Sequence, residues 1–138
     1  MRNAEYYIIS GNNKMLLGNY LGAVFDFTKA SMLNPDLPQP YTSRAAAKIE
    51  LHDYDGAIED CTEAIRLHFK IDMEAEQQSN YFNANVTRRI NPIYAKLYSM
   101  IGTAKLILGN IDAALVDLNS ARLLGNKDAI DIIKAYSK

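Results

Sequence analysis

Residues 41–67, YTSRAAAKIELHDYDGAIEDCTEAIRL, restate residues 7–33, YIISGNNKMLLGNYLGAVFDFTKASML, which lie 34 positions earlier. Tyr41 falls on Tyr7, Ala45 on Gly11, Leu51 on Leu17, Tyr54 on Tyr20 and Ala57 on Ala23. Asp60, Thr62 and Ala64 fall on Asp26, Thr28 and Ala30. A fixed period of this length marks a repeat architecture, in which each unit buries its apolar face only by stacking on the next.

Each unit reads as two antiparallel helices joined by a short turn. In the first, Tyr7, Ile8, Gly11 and Met15 recur at helical spacing over residues 4–17. Gly18-Asn19 breaks that helix, because it supplies a residue tolerant of the left-handed conformation. A second helix over 20–33 carries Leu21, Val24, Phe25, Phe27, Ala30 and Leu33 and stops at Asn34-Pro35. The second unit repeats this with a helix over 40–51, a turn at His52-Asp53 and a helix from Tyr54 to about Phe69. Asp53 is placed to cap the latter. Gly11, Ala23, Ala45 and Ala57 stand where paired helices touch, and a large side chain there would force them apart at a cost of roughly 1–3 kcal/mol.

These residues resemble the tetratricopeptide repeat (TPR) family, with its small-residue pattern and its closing proline. Gly11, Tyr20, Ala23, Phe27, Ala30 and Pro35 match in the first unit, and Ala45, Tyr54, Ala57 and Ala64 in the second. Phe69 stands where the family has proline, so the helix is expected to run on; Cys61 stands where an aromatic is common. A third unit follows in Tyr98, Gly102, Leu108, Gly109-Asn110, Ala114, Leu118 and Ala121. Ala114 lies 57 residues after Ala57, 23 more than one period, and the surplus falls within 71–92, IDMEAEQQSNYFNANVTRRINP. Its front, 72–80, has helical character; NYFNANVTRRINP is Asn-rich, ends in Asn91-Pro92 and reads as a loop. Residues 127–136 alternate Ala129, Ile130, Ile132, Ile133 and Tyr136 with charges, and read as an amphipathic helix that caps the last repeat. The expected fold is an all-α, right-handed α-solenoid of three hairpins in a single domain. Its repeats cover about 4–37, 38–71 and 95–126, with an insert at 72–92 and a capping helix at 127–137.

Composition narrows the function. The 138 residues are 49% apolar and 22% charged, and 15 basic against 16 acidic side chains leave a net charge of −1. That balance gives no general attraction to nucleic acid or to an anionic membrane. One cysteine forms no internal disulfide, and no stretch has the length and apolarity of a signal peptide or a membrane span. A cytoplasmic protein is expected.

Catalytic or metal chemistry needs convergent ligands, and the pattern offers few. His52 sits in a turn and His68 near the expected end of a helix; Cys61 lies on a packed face and behaves as a small hydrophobe. Glu59, Asp60 and Glu63 look like a carboxylate cluster, but Glu59 and Glu63 share an exposed face with Arg66, so a solvated face is read in place of a metal site. Arg88-Arg89 in the insert would suit an acidic partner or a phosphate, which is the basis of a rival enzyme or nucleotide-binding reading. Asn85-Val86-Thr87 fits a glycosylation acceptor without a secretory context. Of the nine tyrosines five occupy repeat positions and Tyr136 belongs to the capping segment; Tyr6, Tyr81 and Tyr94 are left over. No catalytic residue, cofactor site or metal site is expected.

The resemblance implies that the first helix of each unit lines a concave groove that takes an extended peptide or a helix. On this sequence the wall is Glu5, Ile8, Ile9, Asn12 and Met15, then Thr42, Ser43, Ala46 and Ile49, then Lys96, Ser99, Met100 and Thr103. One subgroup of the family clamps acidic chaperone tails with two lysines, two asparagines and an arginine. Here those positions read Ile8, Asn12, Ser43, Lys96 and Met100, so two of five survive, too little charge to hold paired carboxylates. The expected function is a non-catalytic protein-interaction module or scaffold whose groove takes another protein, or its own insert. A self-associating subunit, through the groove or the insert, is the alternative, and a co-chaperone-like binder of acidic tails is a lesser one.

Overall fold

The computed structural model describes residues 2–78 and 84–137. They form seven helices: α1 (Ala4–Leu16), α2 (Tyr20–Leu33), α3 (Gln39–Glu50), α4 (Tyr54–Gln78), α5 (Ala84–Ile107), α6 (Ile111–Leu123) and α7 (Asp128–Tyr136). No strand occurs among the described residues. The chain divides into two compact units, residues 1–67 and 68–138, with the division inside α4.

In the first unit α1 pairs with α2, and α3 packs on α2. The α1–α2 turn puts Gly18 at φ 74°, and the Gly18 N–H donates to the Met15 carbonyl while the Asn19 N–H reaches back to Lys14. This is a six-residue closure that satisfies the last carbonyls of α1. The turn after α3 repeats it with His52 at φ 62°, a position that glycine would occupy without strain. Asn19 and Asp53 then restart the chain, each accepting from the N–H three residues on, Gly22 and Gly56, at 3.0 Å.

The helices approach closely because one partner at the crossing is small. A Cβ on Gly11 would stand 2.6 Å from the Phe27 ring, inside any real contact distance. Phe27 is wholly buried with Ala23 and Ala47, and Met15 and Val24 close over that cluster. In the next hairpin the equivalent positions are Ala45 and Cys61, both fully buried. The larger Ala is matched by a smaller opposite residue, so the added methyl group has room.

The second unit repeats the scheme. A Cβ on Gly102 would stand 2.6 Å from Leu118 Cγ, and Gly109 turns the chain at φ 84°. α5 pairs with α6, and α7 covers α6 through Ala129, Ile132 and Ile133 around Leu118 and Ala121. The capping helix thus does what the sequence leads one to expect.

Two expectations change. α4 runs 25 residues to Gln78, so the proline-free end at Phe69 does let the helix continue, and His68 is mid-helix, not terminal. Residues 84–92 are not a loop: α5 begins at Ala84 and passes through Pro92. Proline removes the bond that its own N–H would give to the Arg88 carbonyl and its ring crowds that carbonyl, yet the helix continues through it. Residues 79–83, including Tyr81, lie outside the described residues.

The size matching at the crossing is testable. Gly11→Ala should destabilise the protein by about 1–3 kcal/mol. In a Phe27→Cys background, which copies the Ala45–Cys61 combination, the same change should cost at least about 1 kcal/mol less. Urea denaturation of the four proteins measures the coupling; additive effects would contradict the packing described.

Candidate partner-binding surface

A first helix has two obligations, to its own hairpin and to whatever lies outside, and α1 shows how they divide. Ser10 and Lys14 turn inward: the Ser10 hydroxyl donates to Asp26 Oδ2 at 2.6 Å and Lys14 Nζ approaches the same oxygen at 2.8 Å. Asp26 is 4% exposed, and a buried carboxylate needs such partners. α3 meets α4 through the same register. Arg44 grips both oxygens of Asp60 with the Nε–Nη2 edge of its guanidinium, at 2.8 and 2.6 Å, and Lys48 Nζ lies 2.9 Å from Oδ2. Arg44 also donates to the Thr28 hydroxyl, at 3.1 Å. Its pKa is raised, first by the hydrogen bond to Asp60. In the second unit Lys105 pairs with Asp117 at 2.7 Å. Lysine at one position and aspartate twelve residues on thus recur in all three hairpins, joining first helix to second each time.

That arrangement divides the carboxylate cluster. Asp60 is buried and doubly paired, Glu59 is exposed, and Glu63 pairs with Arg66 at 2.6 Å, which lowers its pKa. Only Glu59 and Glu63 form the outer face that the sequence suggests.

Of the five groove residues expected on α1, Glu5, Ile9 (54% exposed) and Asn12 stay outside. Ile8 is 7% exposed, and Met15 packs on the Phe27 cluster, so both are largely committed to the hairpin. On α3, Thr42, Ser43, Ala46 and Ile49 are half-buried, and the Thr42 hydroxyl donates to the Pro38 carbonyl at 3.5 Å. Glu5, Ile8 and Gln39 line a recess of about 560 Å³ with Leu33, Asn34 and Leu37. In the second unit Lys96 is exposed, and Ser99, Met100 and Thr103 are half-buried. Lys96 lines a recess of about 330 Å³ with Pro92, Leu124, Asn126 and Lys127.

The titratable groups set aside by pattern reasoning have structural roles. The Tyr94 hydroxyl donates to Asp72 Oδ2 at 2.6 Å, tying α5 to α4, and burial followed by that bond pushes its pKa far up. His68 meets the Tyr94 ring edge-on at 6.2 Å; burial lowers its pKa, with Asp72 pulling the other way. His52 stacks on Tyr54, Tyr6 lies edge-on to Tyr7 beneath Arg2, and Cys61 is buried. No group of three His, Cys, Asp or Glu among the described residues could hold a metal, and no helix there is long and apolar enough to cross a membrane. Residues 85–89 lie within α5; the side chains of Asn85, Arg88 and Arg89 fall outside what the structure describes.

Solved structures share this arrangement. The first TPR domain of Spaghetti (RPAP3), bound to the HSP90 peptide SRMEEVD, is 25% identical, with a TM-score of 0.75 over 98% of this chain and 90% of that one. The second TPR domain of human RPAP3, bound to the HSP70 peptide SGPTIEEVD, is 25% identical with a TM-score of 0.74, over 98% and 95%. The Arabidopsis OM64 TPR domain is 26% identical with a TM-score of 0.73, over 96% and 92%. By sequence, the small glutamine-rich tetratricopeptide repeat-containing protein 2 of Mycosarcoma maydis is 27% identical over 115 residues, 83% of this chain. Mouse dynein axonemal assembly factor 4 is 36% identical over 66 residues, 48% of this chain. The chain spans 26% and 16% of the length of those two relatives. No protein-family model matches the chain.

Two outcomes test the electrostatics. Asp60→Ala leaves Arg44 and Lys48 facing each other unpaired and should cost about 3–5 kcal/mol in chemical denaturation; a loss under about 1 kcal/mol, the surface-pair value, would contradict the buried triad. His68 has a folded pKa below its unfolded value, so its contribution is fully present above about pH 6.5 and is lost as pH falls below that. The urea midpoint should therefore drop more between pH 7.5 and 5.5 in the natural protein than in His68→Phe; equal drops would contradict a buried neutral imidazole.

Proposed function

Because the chain has the fold of the tetratricopeptide repeat family, we propose that it is a non-catalytic interaction module that holds a peptide segment or helix of another protein against its first helices. The observation that carries this reading is the division on α1. Ser10 and Lys14 close the hairpin from within, while Glu5, Ile9 and Asn12 stay outside with no side-chain hydrogen bond or ion pair among the described residues. In the first unit Ile9 is the apolar anchor, with Asn12 and Ser43 as neutral groups on the first helices there; in the second unit Met100 is the apolar anchor, with Ser99 and Thr103 as its neutral neighbours on α5. That mixture suits a partner whose grip is apolar with polar registration, such as an amphipathic helix or an extended segment.

The neighbours' bound peptides end in EEVD, which favours a second reading, capture of an acidic tail. The charges here argue against it. Of the five clamp positions only Asn12 and Lys96 keep a suitable residue; Ile8 is buried, and Met100 replaces the guanidinium. Lys14, Lys48 and Lys105 do not substitute, since each already faces a carboxylate inside its hairpin.

Affinity capture from a native lysate separates the readings. Ile9→Glu combined with Met100→Glu should remove most of the captured protein, with the thermal midpoint held within a few degrees. Undiminished capture would overturn the proposal. The peptide SRMEEVD, titrated separately against the natural protein, should show no saturable binding in the micromolar range; saturation there would establish the second reading instead.

A further inference from the structure

The three hairpins share one register, so a position that faces water in one of them shows what the fold itself demands there. In the middle hairpin the outward positions at the end of its first helix and along its second are Glu50, Asp55, Glu59 and Arg66, all exposed. The equivalent residues of the first hairpin are Leu16, Leu21, Phe25 and Met32, at 86%, 72%, 60% and 69% exposure. Leu17, beside Leu16, is 83% exposed. The fold does not require Leu16, Leu21, Phe25 and Met32, because 34 residues later it is built with charged side chains at those four positions; Leu17 alone keeps an apolar counterpart, Leu51, at 38% exposure.

Leu21, Phe25 and Met32 lie within about 40° of arc on α2, forming one stripe. With Leu16 and Leu17 they leave on the order of 600 Å² of apolar side chain in water, the upper end of what a monomer's largest patch shows. The charge beside the stripe is Lys29, whose ammonium sits 5.6 Å from the Phe25 ring centroid and makes no ion pair among the described residues. A surface this apolar, with one charge at its margin, has little to offer a strongly charged partner and little to repel a copy of itself.

We propose that this face of α2 and the α1–α2 turn is a self-association surface on which a second copy of the chain docks. Antiparallel two-fold pairing of α2 sets Leu21 of one copy beside Met32 of the other, twice, with the Phe25 rings between; such an isologous contact closes on itself. The lysines then fall at the rim, where water screens them. Two copies bury about 1,200 Å² in all, the low end for specific association, so the dimer is weak and concentration-dependent. This surface is distinct from the first-helix faces assigned to a partner above.

The test borrows the middle hairpin's own residues. In sedimentation equilibrium across the micromolar range, the mass of the natural protein should climb from 15.5 kDa toward twice that value. Leu21→Asp with Phe25→Glu and Met32→Arg should stay at the monomer mass throughout, with unchanged helical circular dichroism. The third hairpin carries Val116 and Leu123 at the positions of Phe25 and Met32, 67% and 71% exposed, so Val116→Glu with Leu123→Arg is the control and should associate like the natural protein. Hydrogen exchange on the natural protein alone adds a readout that needs no variant: protection of α2 amides should rise with concentration, ahead of α6. A natural protein that stays monomeric overturns the proposal, as does a triple variant that still dimerises. Loss of association in the control, or protection rising first in α6, overturns it as well.

Discussion

The structure depends on how near two helices can come. At the α1–α2 crossing the Gly11 backbone meets the Phe27 ring, and at the α5–α6 crossing Gly102 meets Leu118; a single methyl group at either glycine would collide. Contact at that range buries Phe27 and Leu118 completely. It also sets the spacing at which a lysine of the first helix reaches an aspartate of the second. Packing therefore comes first in the causal order, and the Lys14–Asp26, Lys48–Asp60 and Lys105–Asp117 pairs follow from it. Burying charge adds little net stability on its own, but an aspartate left unpaired at these depths would be severely penalised, so the pairs enforce register.

This arrangement divides labour along each first helix. Side chains that face the second helix are consumed in packing or ion pairing, which frees the remaining faces from any structural duty. In α1 Glu5, Ile9 and Asn12 are among the residues left outside, while Ser10 and Gly11, next to Ile9, are engaged by the hairpin. A partner can vary what it asks of the outer positions without disturbing the fold, which is the physical sense in which such hairpins serve as interaction modules.

Much of this was legible in the sequence, because a repeat shows the same physical requirement more than once. Gly11, Ala45 and Gly102 recur in step, and Gly18 and Gly109 mark turns at which φ is positive. The ion pairs were equally present as lysine and aspartate twelve apart in every unit, yet Asp60 drew notice only as a neighbour of Glu59 and Glu63 in a carboxylate cluster. Adjacent carboxylates on a helix point a hundred degrees apart, and only the three-fold recurrence distinguishes the inward one. Pro92 misled for a different reason. Asn-Pro is a sound local stop signal, but the long-range packing of Ala95, Leu97 and Ile101 holds α5 in place, and no local pattern contains that information. The burial of Ile8 was hidden likewise, since periodicity places it on a face without saying what covers that face.

The central claim is that paired helices touch at backbone distance over Gly11 and Gly102. Nuclear Overhauser effects measure this directly. Strong cross-peaks from the Gly11 α-protons to the Phe27 ring, and from the Gly102 α-protons to the Leu118 methyl groups, are the predicted result. Their absence from a well-resolved spectrum of the folded protein would contradict the account.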